Sequence, residues 1–227
     1  KAIGGKVDTD GLPKKVQEGF ALARELREGF SHTTDETGNL LAALNGRFIP
    51  PGPGNSPDRN PGSVPTGRNM YVMNPEEVPS QSSWELGKML ADQLIAERLK
   101  TEGRYPEKVC FCLSPFASFH DYWVMEAEIL YLLGVRPVWD NRNVVSDVEL
   151  IPAKELGRPR LDIFVATEGV YNDMLPTRME LLDKAIRMVA ELKEEGNAVY
   201  ADSERVRQEL EQSGMDAARS AALSRAR

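Results

Sequence analysis

The chain has 227 residues, 41% of them hydrophobic and 28% charged, and 35 acidic against 28 basic side chains give a formal net charge of -7. That is enough chain to bury one good core or two small ones, and no apolar run approaches the roughly 20 residues that cross a bilayer. The acidic balance argues against a general nucleic-acid binder, which carries a basic footprint. Two cysteines only, Cys110 and Cys112, with no signal peptide in view, point to a reducing compartment and hence the cytoplasm. The start at Lys1 without methionine and the helical pattern running into Arg227 read as a fragment of something longer.

Leu12 to Phe30 reads as an amphipathic helix, with Val16, Phe20, Ala23, Leu26 and Phe30 at three- and four-residue spacing. Glu36 to Leu44 is a second, short helix, stopped by Asn45-Gly46. A long strap follows, holding Pro50, Pro51, Pro53, Pro57, Pro61, Pro65, Pro75 and Pro79 of the chain's 15 prolines. Each proline fixes its own φ and pushes its predecessor toward extended geometry, so this loop is stiff. From Gly46 to Tyr71 the strap carries Arg47, Arg59 and Arg68 against Asp58, the pattern of a segment built to hold an anion.

Ser80 caps a helix to about Lys100, whose expected apolar face is Trp84, Leu86, Met89, Leu90, Leu94 and Ile95. Beyond it strands and helices alternate. Lys108–Leu113 and Leu161–Ala166 read as buried strands, Arg136–Trp139 as a strand and Val144–Ile151 as a hairpin arm. Tyr122–Leu133 and Pro176–Leu192 read as helices, and Val199–Leu210 and Asp216–Arg227 as terminal helices. This alternation predicts an α/β fold: a layered, mostly parallel sheet with flanking helices, preceded by a helical segment and the strap. The expected divisions are a helical lead-in over 1–45, the strap over 46–80, an α/β domain over 81–198 and a helical tail over 199–227.

Ligands of such sheets sit beyond the carboxyl ends of the strands. Ser114–Asp121 and Thr167–Asp173 are therefore the expected rim loops. His120 titrates near neutrality and can carry a proton or hold a metal, and Glu126 on the following helix could converge with it. The bland alternative is a helix start with His120 and Asp121 as caps. Arg136, Arg158 and Arg160 are either anion ligands or solvated charges. Gly62-Ser-Val-Pro-Thr-Gly67 has the gap of a phosphate loop but lacks its Lys and Ser/Thr and has no strand before it. Cys110 and Cys112 have no second pair to complete a zinc site, and read as small buried strand residues.

The strap's order then becomes informative. Pro50-Pro-Gly-Pro-Gly54, then Arg59-Asn60-Pro61, then Pro65-Thr-Gly-Arg-Asn69 resembles the large subunit of cobaltochelatase and the H subunit of magnesium chelatase. The resemblance runs on through Trp84-Glu-Leu-Gly-Lys88, Tyr131-Leu-Leu-Gly-Val-Arg-Pro-Val-Trp-Asp140, Glu149-Leu-Ile-Pro152, Glu155-Leu-Gly-Arg-Pro-Arg160 and Leu182-Asp-Lys-Ala185. It covers most of residues 42–197, and the wording lies nearer the cobaltochelatase branch. Two places depart from it. Phe119-His120 and Asn172 stand where the family carries an arginine, and Trp123 stands where it carries glycine.

The resemblance implies an ATP-dependent insertion of a divalent metal, cobalt more than magnesium, into a tetrapyrrole, as in cobalamin-type biosynthesis. The metal is then a substrate, and ATP is used by a separate AAA+ motor subunit rather than bound here. Partners so implied are the macrocycle, the motor subunits and the rest of a large chain. Ring carboxylates would meet Arg59, Asn60, Thr66, Arg68, Asn69 and Arg136, and the departing pyrrole protons would go to His120 or Glu126. The alternatives are a chelatase-like protein that inserts no metal, or a structural module of a large protein.

Overall fold

Residues 9–33, 35–57, 60–71 and 74–225 are described here, from a computed structural model. They form a mixed α/β structure whose strands pair in three two-stranded sheets, two parallel and one antiparallel. The chain divides into two units, residues 1–73 and 74–227.

In the first unit, α1 (Lys14–Ser31) and α2 (Asp35–Leu44) follow the expected periodicity. The end of α2 is fixed by its own backbone. Gly46, at φ 72, donates to Ala43 O, and Arg47 N donates to Ala42 O at 3.0 Å, the paired bonds of a Schellman motif. The strap is more ordered than a stiff loop. Its β1 (Pro51–Pro53) and β2 (Asn69–Tyr71) pair in parallel, Gly52 opposite Met70, and a 3-10 turn at Pro61–Ser63 lies between them.

Glycine makes this packing possible at two positions. A Cβ on Gly52 would sit 2.5 Å from Arg68 Nε. Gly67 combines φ +82 with a Cβ position 2.8 Å from Glu36 Cα, so α2 lies directly against it.

The second unit is built around α5 (Val124–Leu133), whose Ile129, Leu130, Leu132 and Leu133 are all buried. Against it lies α3 (Gln81–Glu102), capped by Ser80 Oγ accepting from Ser83 N. The buried face of α3 is Ser83, Trp84, Gly87, Ala91 and Ile95, while Leu86 and Met89 are exposed, which corrects the expected stripe. The small residues win that face because they let the two helices touch: a Cβ on Gly87 would lie 2.7 Å from Ala127 Cβ. Hydrophobicity points at the leucines, but close helix contact selects the glycine.

Around this pair lie β3 (Lys108–Leu113) parallel to β6 (Asp162–Thr167), and β4 (Val135–Trp139) antiparallel to β5 (Val145–Leu150). A short helix, α6 (Ala153–Leu156), leads from β5 toward β6. After β6 come α8 (Pro176–Ala190), α9 (Ala198–Gln212) and α10 (Ala217–Arg225).

Three further expectations are corrected. The rim segments are not loops but short helices, α4 (Pro115–Asp121) and α7 (Gly169–Met174), each starting just past the end of a parallel strand. The helix predicted from Tyr122 begins only at Val124, because Tyr122 and Trp123 are both left-handed, at φ 57 and 69. Asp121 stabilises that break by accepting from the amides of Trp123 and Val124. Strands β3 and β6 are only half covered: Cys110, Cys112 and Phe164 are exposed, so the cysteines are not buried strand residues.

Candidate functional site

Two places gather candidate functional side chains, one in each unit. The first is a groove of about 930 Å³ in the strap unit. Its wall is apolar, with Phe30, Leu40, Phe48, Val64 and Met70 contributing. Phe48 is 82% exposed, the most open of the large apolar side chains described. Charge enters from Arg47, Arg68 and Glu36, so the groove carries a positive excess inside an acidic chain.

Of the residues expected to meet an anion, Thr66, Arg68 and Asn69 line this groove. Asn60 stands in the same unit and donates to Gly54 O at 3.3 Å, holding the strap's first turn. Arg59 lies outside the described residues. Arg136 belongs to the second unit, on β4, where Glu149 and Glu155 hold its guanidinium at 2.7 and 2.6 Å.

Arg68 does not point freely outward. Its guanidinium folds over buried Gly52, with Nε donating to Pro65 O at 3.0 Å and Nη2 to Gly62 O. Arg47 is different: among the described residues its side chain has no hydrogen bond or ion pair, and it is exposed.

The second place is a buried carboxyl. Glu126 on α5 has no exposed surface. Its Oε1 accepts from Ser118 Oγ on α4 and from Tyr171 Oη on α7, the latter at 2.7 Å. Its Oε2 is buried without a partner among the described residues, as is Trp123 Nε1. Burial disfavours the charged form and pushes the Glu126 carboxyl up to about 7, although both hydroxyls pull the other way. Burial of the Tyr171 phenol, and after it the neighbouring Glu126 carboxylate, push that phenol far above its ordinary range.

His120 sits half-buried on α4, and among the described residues no hydrogen bond or ion pair joins it to Glu126. What Glu126 meets instead are Ser118 and Tyr171, which sequence reasoning missed. Their only signal was position, on the two segments that follow the parallel strands.

The remaining arginines weighed as anion ligands have internal partners. Arg158 lies 4.7 Å over the Tyr131 ring and donates to Leu132 O, and burial lowers its pKa. Arg160 is 1% exposed, donates to the carbonyls of Leu133, Gly134 and Ile151, and pairs with Glu194 at 2.9 Å. Among the described residues no three His, Cys, Asp or Glu side chains gather into a metal-binding group, and no helix is long and apolar enough to cross a membrane.

Comparison with known proteins gives these places a context. The CobN/Magnesium Chelatase family model matches residues 6–227. The chain is 40% identical over 162 residues, 70% of its length, to magnesium-chelatase subunit ChlH of Oryza sativa subsp. indica. It is 36% identical over 190 residues, 82% of its length, to the aerobic cobaltochelatase subunit CobN of Sinorhizobium sp. Its fold matches the catalytic subunit of cobaltochelatase from Mycobacterium tuberculosis with a TM-score of 0.72 and 34% identity over 97% of the chain. The chain spans 12% and 15% of the lengths of the two sequence relatives and 22% of the solved chain.

Proposed function

The chain belongs to the CobN/magnesium chelatase family, and on that premise we propose that it is a segment of a large chelatase subunit that holds a polycarboxylate tetrapyrrole in the strap groove. The observation that carries this reading is the groove itself: an apolar wall suited to a flat ring, with guanidinium groups suited to its carboxylates. The metal is a substrate of the reaction. We propose cobalt rather than magnesium, supported by the cobaltochelatase match over 97% of the chain.

ATP is used by separate AAA+ motor subunits in this reading, in keeping with a strap that lacks the phosphate-loop Lys and Ser/Thr. The cytoplasm is the compartment that fits. For the two pyrrole protons we propose Glu126 and His120, both of the second unit, as acceptors on their chemistry alone and with no placement relative to the groove. A carboxyl pushed up to about 7 exchanges its proton readily near neutrality. Ser118 and Tyr171 hold it in place.

The test is metal insertion by the full-length protein with its motor partners, ATP, a free-base tetrapyrrole and either Co²⁺ or Mg²⁺, followed by absorbance. Glu126→Gln and His120→Ala are each expected to slow insertion by about 10²–10⁴-fold while ring binding persists; unchanged rates would remove them from the proton step. Insertion of magnesium in preference to cobalt would overturn the choice of metal.

A second reading, ring binding without insertion, is motivated by Phe119-His120 and Asn172, at places where the resemblance leads one to expect arginine. Saturable binding with no insertion of either metal would select it.

A further inference from the structure

The strap groove contains two arginines in different physical situations, and this difference assigns them different work. We infer that Arg47, not Arg68, is the residue that pairs with a ring carboxylate, and that Arg68 is a positioning residue that holds the groove open. The inference rests on the tetrapyrrole reading given above.

Arg68 is already committed. Its Nε and Nη2 reach the carbonyls of Pro65 and Gly62, on the connection between β1 and β2. The guanidinium plane occupies the space that a side chain at residue 52 would need. It therefore ties β1, the 3-10 turn and the approach to β2 into one piece. A ligand carboxylate that recruited those donors would leave two carbonyls unpaired and release the strap.

Arg47 has the reverse arrangement: fixed backbone, free head. The Schellman bonds from Gly46 N and Arg47 N lock its Cα to the end of α2. Its guanidinium lines the groove beside exposed Phe48 and is bound to nothing among the described residues. A planar fork on an anchored backbone is the geometry that captures a carboxylate in two parallel hydrogen bonds. Phe48 at the next position offers a ring face to the macrocycle. The other charged group on the wall, Glu36, would repel a carboxylate, so Arg47 and Glu36 together also orient the ring.

The experiment uses the full-length protein and two probes: a free-base octacarboxylate porphyrin, and the same ring esterified with short ethylene glycol chains, which is neutral and soluble. Binding is followed by absorbance at two salt concentrations. For Arg47→Ala, the expected result is about a tenfold weaker affinity for the acid, from one lost charge-assisted pair. Affinity for the ester should be unchanged, and the salt dependence seen with the acid should shrink. Arg47→Lys should recover only part of the loss, because a point charge lacks the fork. Arg68→Ala should weaken acid and ester alike and speed proteolysis of the strap. If Arg47→Ala binds the acid as wild type does, or loses acid and ester equally, the inference falls while the tetrapyrrole reading stands. If Arg68→Ala loses the acid alone, the roles are reversed and the inference also falls. If wild type binds neither ring, both it and the tetrapyrrole reading are overturned.

Discussion

In the unit from Asn74 onward, Arg160 and Arg178 are buried and Arg158 is half-buried, and all three donate to backbone carbonyls. In the unit ending at Met73, Arg47 keeps its guanidinium in the open. The contrast extends to the helices: α5 is buried along most of its length, whereas α1 and α2 bury none of their described residues. One unit secures its core with charge turned inward. The other holds its strap by close backbone contacts at glycine, and leaves charge and apolar surface facing a groove. An arginine's number of internal acceptors, more than its place in the sequence, separates scaffold from binding group.

The strongest way to break this comparison is to remove one arginine from each side. Arg160→Ala removes a donor from three carbonyls and the partner of Glu194, and loss of one member of a buried pair costs about 3–5 kcal/mol. Arg47→Ala touches no internal partner and should stay within about 0.5 kcal/mol. Urea unfolding followed by tryptophan emission reads the second unit, since Trp84, Trp123 and Trp139 all lie there, and far-ultraviolet circular dichroism adds the helices of the first. Equal, small effects would show that the guanidinium of Arg160 is not structural.

Glu126 sharpens the same contrast through pH. Its folded carboxyl is raised from 4.5 to about 7, so between those values the folded protein binds more protons than the unfolded chain. The stabilisation is therefore complete below about 4.5 and lost as pH rises through about 7, up to roughly 3 kcal/mol in all. Glu128, likewise pushed up to about 7 by burial, adds a parallel contribution. Urea midpoints measured from pH 5 to 8 should fall in wild type, and Glu126→Gln should remove part of that slope. An unaltered slope would mean that Glu126 is charged and satisfied throughout.

In the strap unit the corresponding change is at a glycine. Gly67→Ala adds a Cβ 2.8 Å from the Glu36 backbone at φ +82, and left-handed alanine alone costs about 1–2 kcal/mol. Faster proteolytic cleavage of the strap is expected, with no shift in the tryptophan transition. A shift in that transition would instead show that the strap and the second unit unfold together.

The elements that periodicity and caps announce were legible in the sequence. Ser80 marks the start of α3, Asn45-Gly46 the end of α2, and the apolar runs 108–113 and 161–166 the parallel pair within a residue or so. What local pattern cannot carry is contact between distant segments. Glu126 meets Ser118 and Tyr171 across eight and 45 positions, and α4 and α7 are too short to show a helical period. Arg68 looked like an anion ligand because composition cannot reveal that its partners are carbonyls of its own strap. The expected face of α3 held at Trp84 and Ile95 and missed at Leu86 and Met89 for a related reason: Gly87 is chosen for what it lacks.

Trp123 offers the finest test, because two effects oppose each other at one residue. Its indole is 1% exposed and lies 6.2 Å from the Tyr171 ring, so truncation removes about 3–5 kcal/mol of packing. Its backbone, however, sits at φ 69, where glycine is at ease and any side chain is strained by about 1–2 kcal/mol. Alanine loses the packing and keeps the strain, while glycine loses the packing and relieves it. Trp123→Gly should therefore be more stable than Trp123→Ala by about 1 kcal/mol, reversing the order usual inside an ordered segment. The two remaining tryptophans suffice to measure it. A glycine at this place would be the relaxed state of a turn that this chain fills with an indole, and Asp121, which accepts from the amides of both Trp123 and Val124, is the side chain that holds the turn in either case.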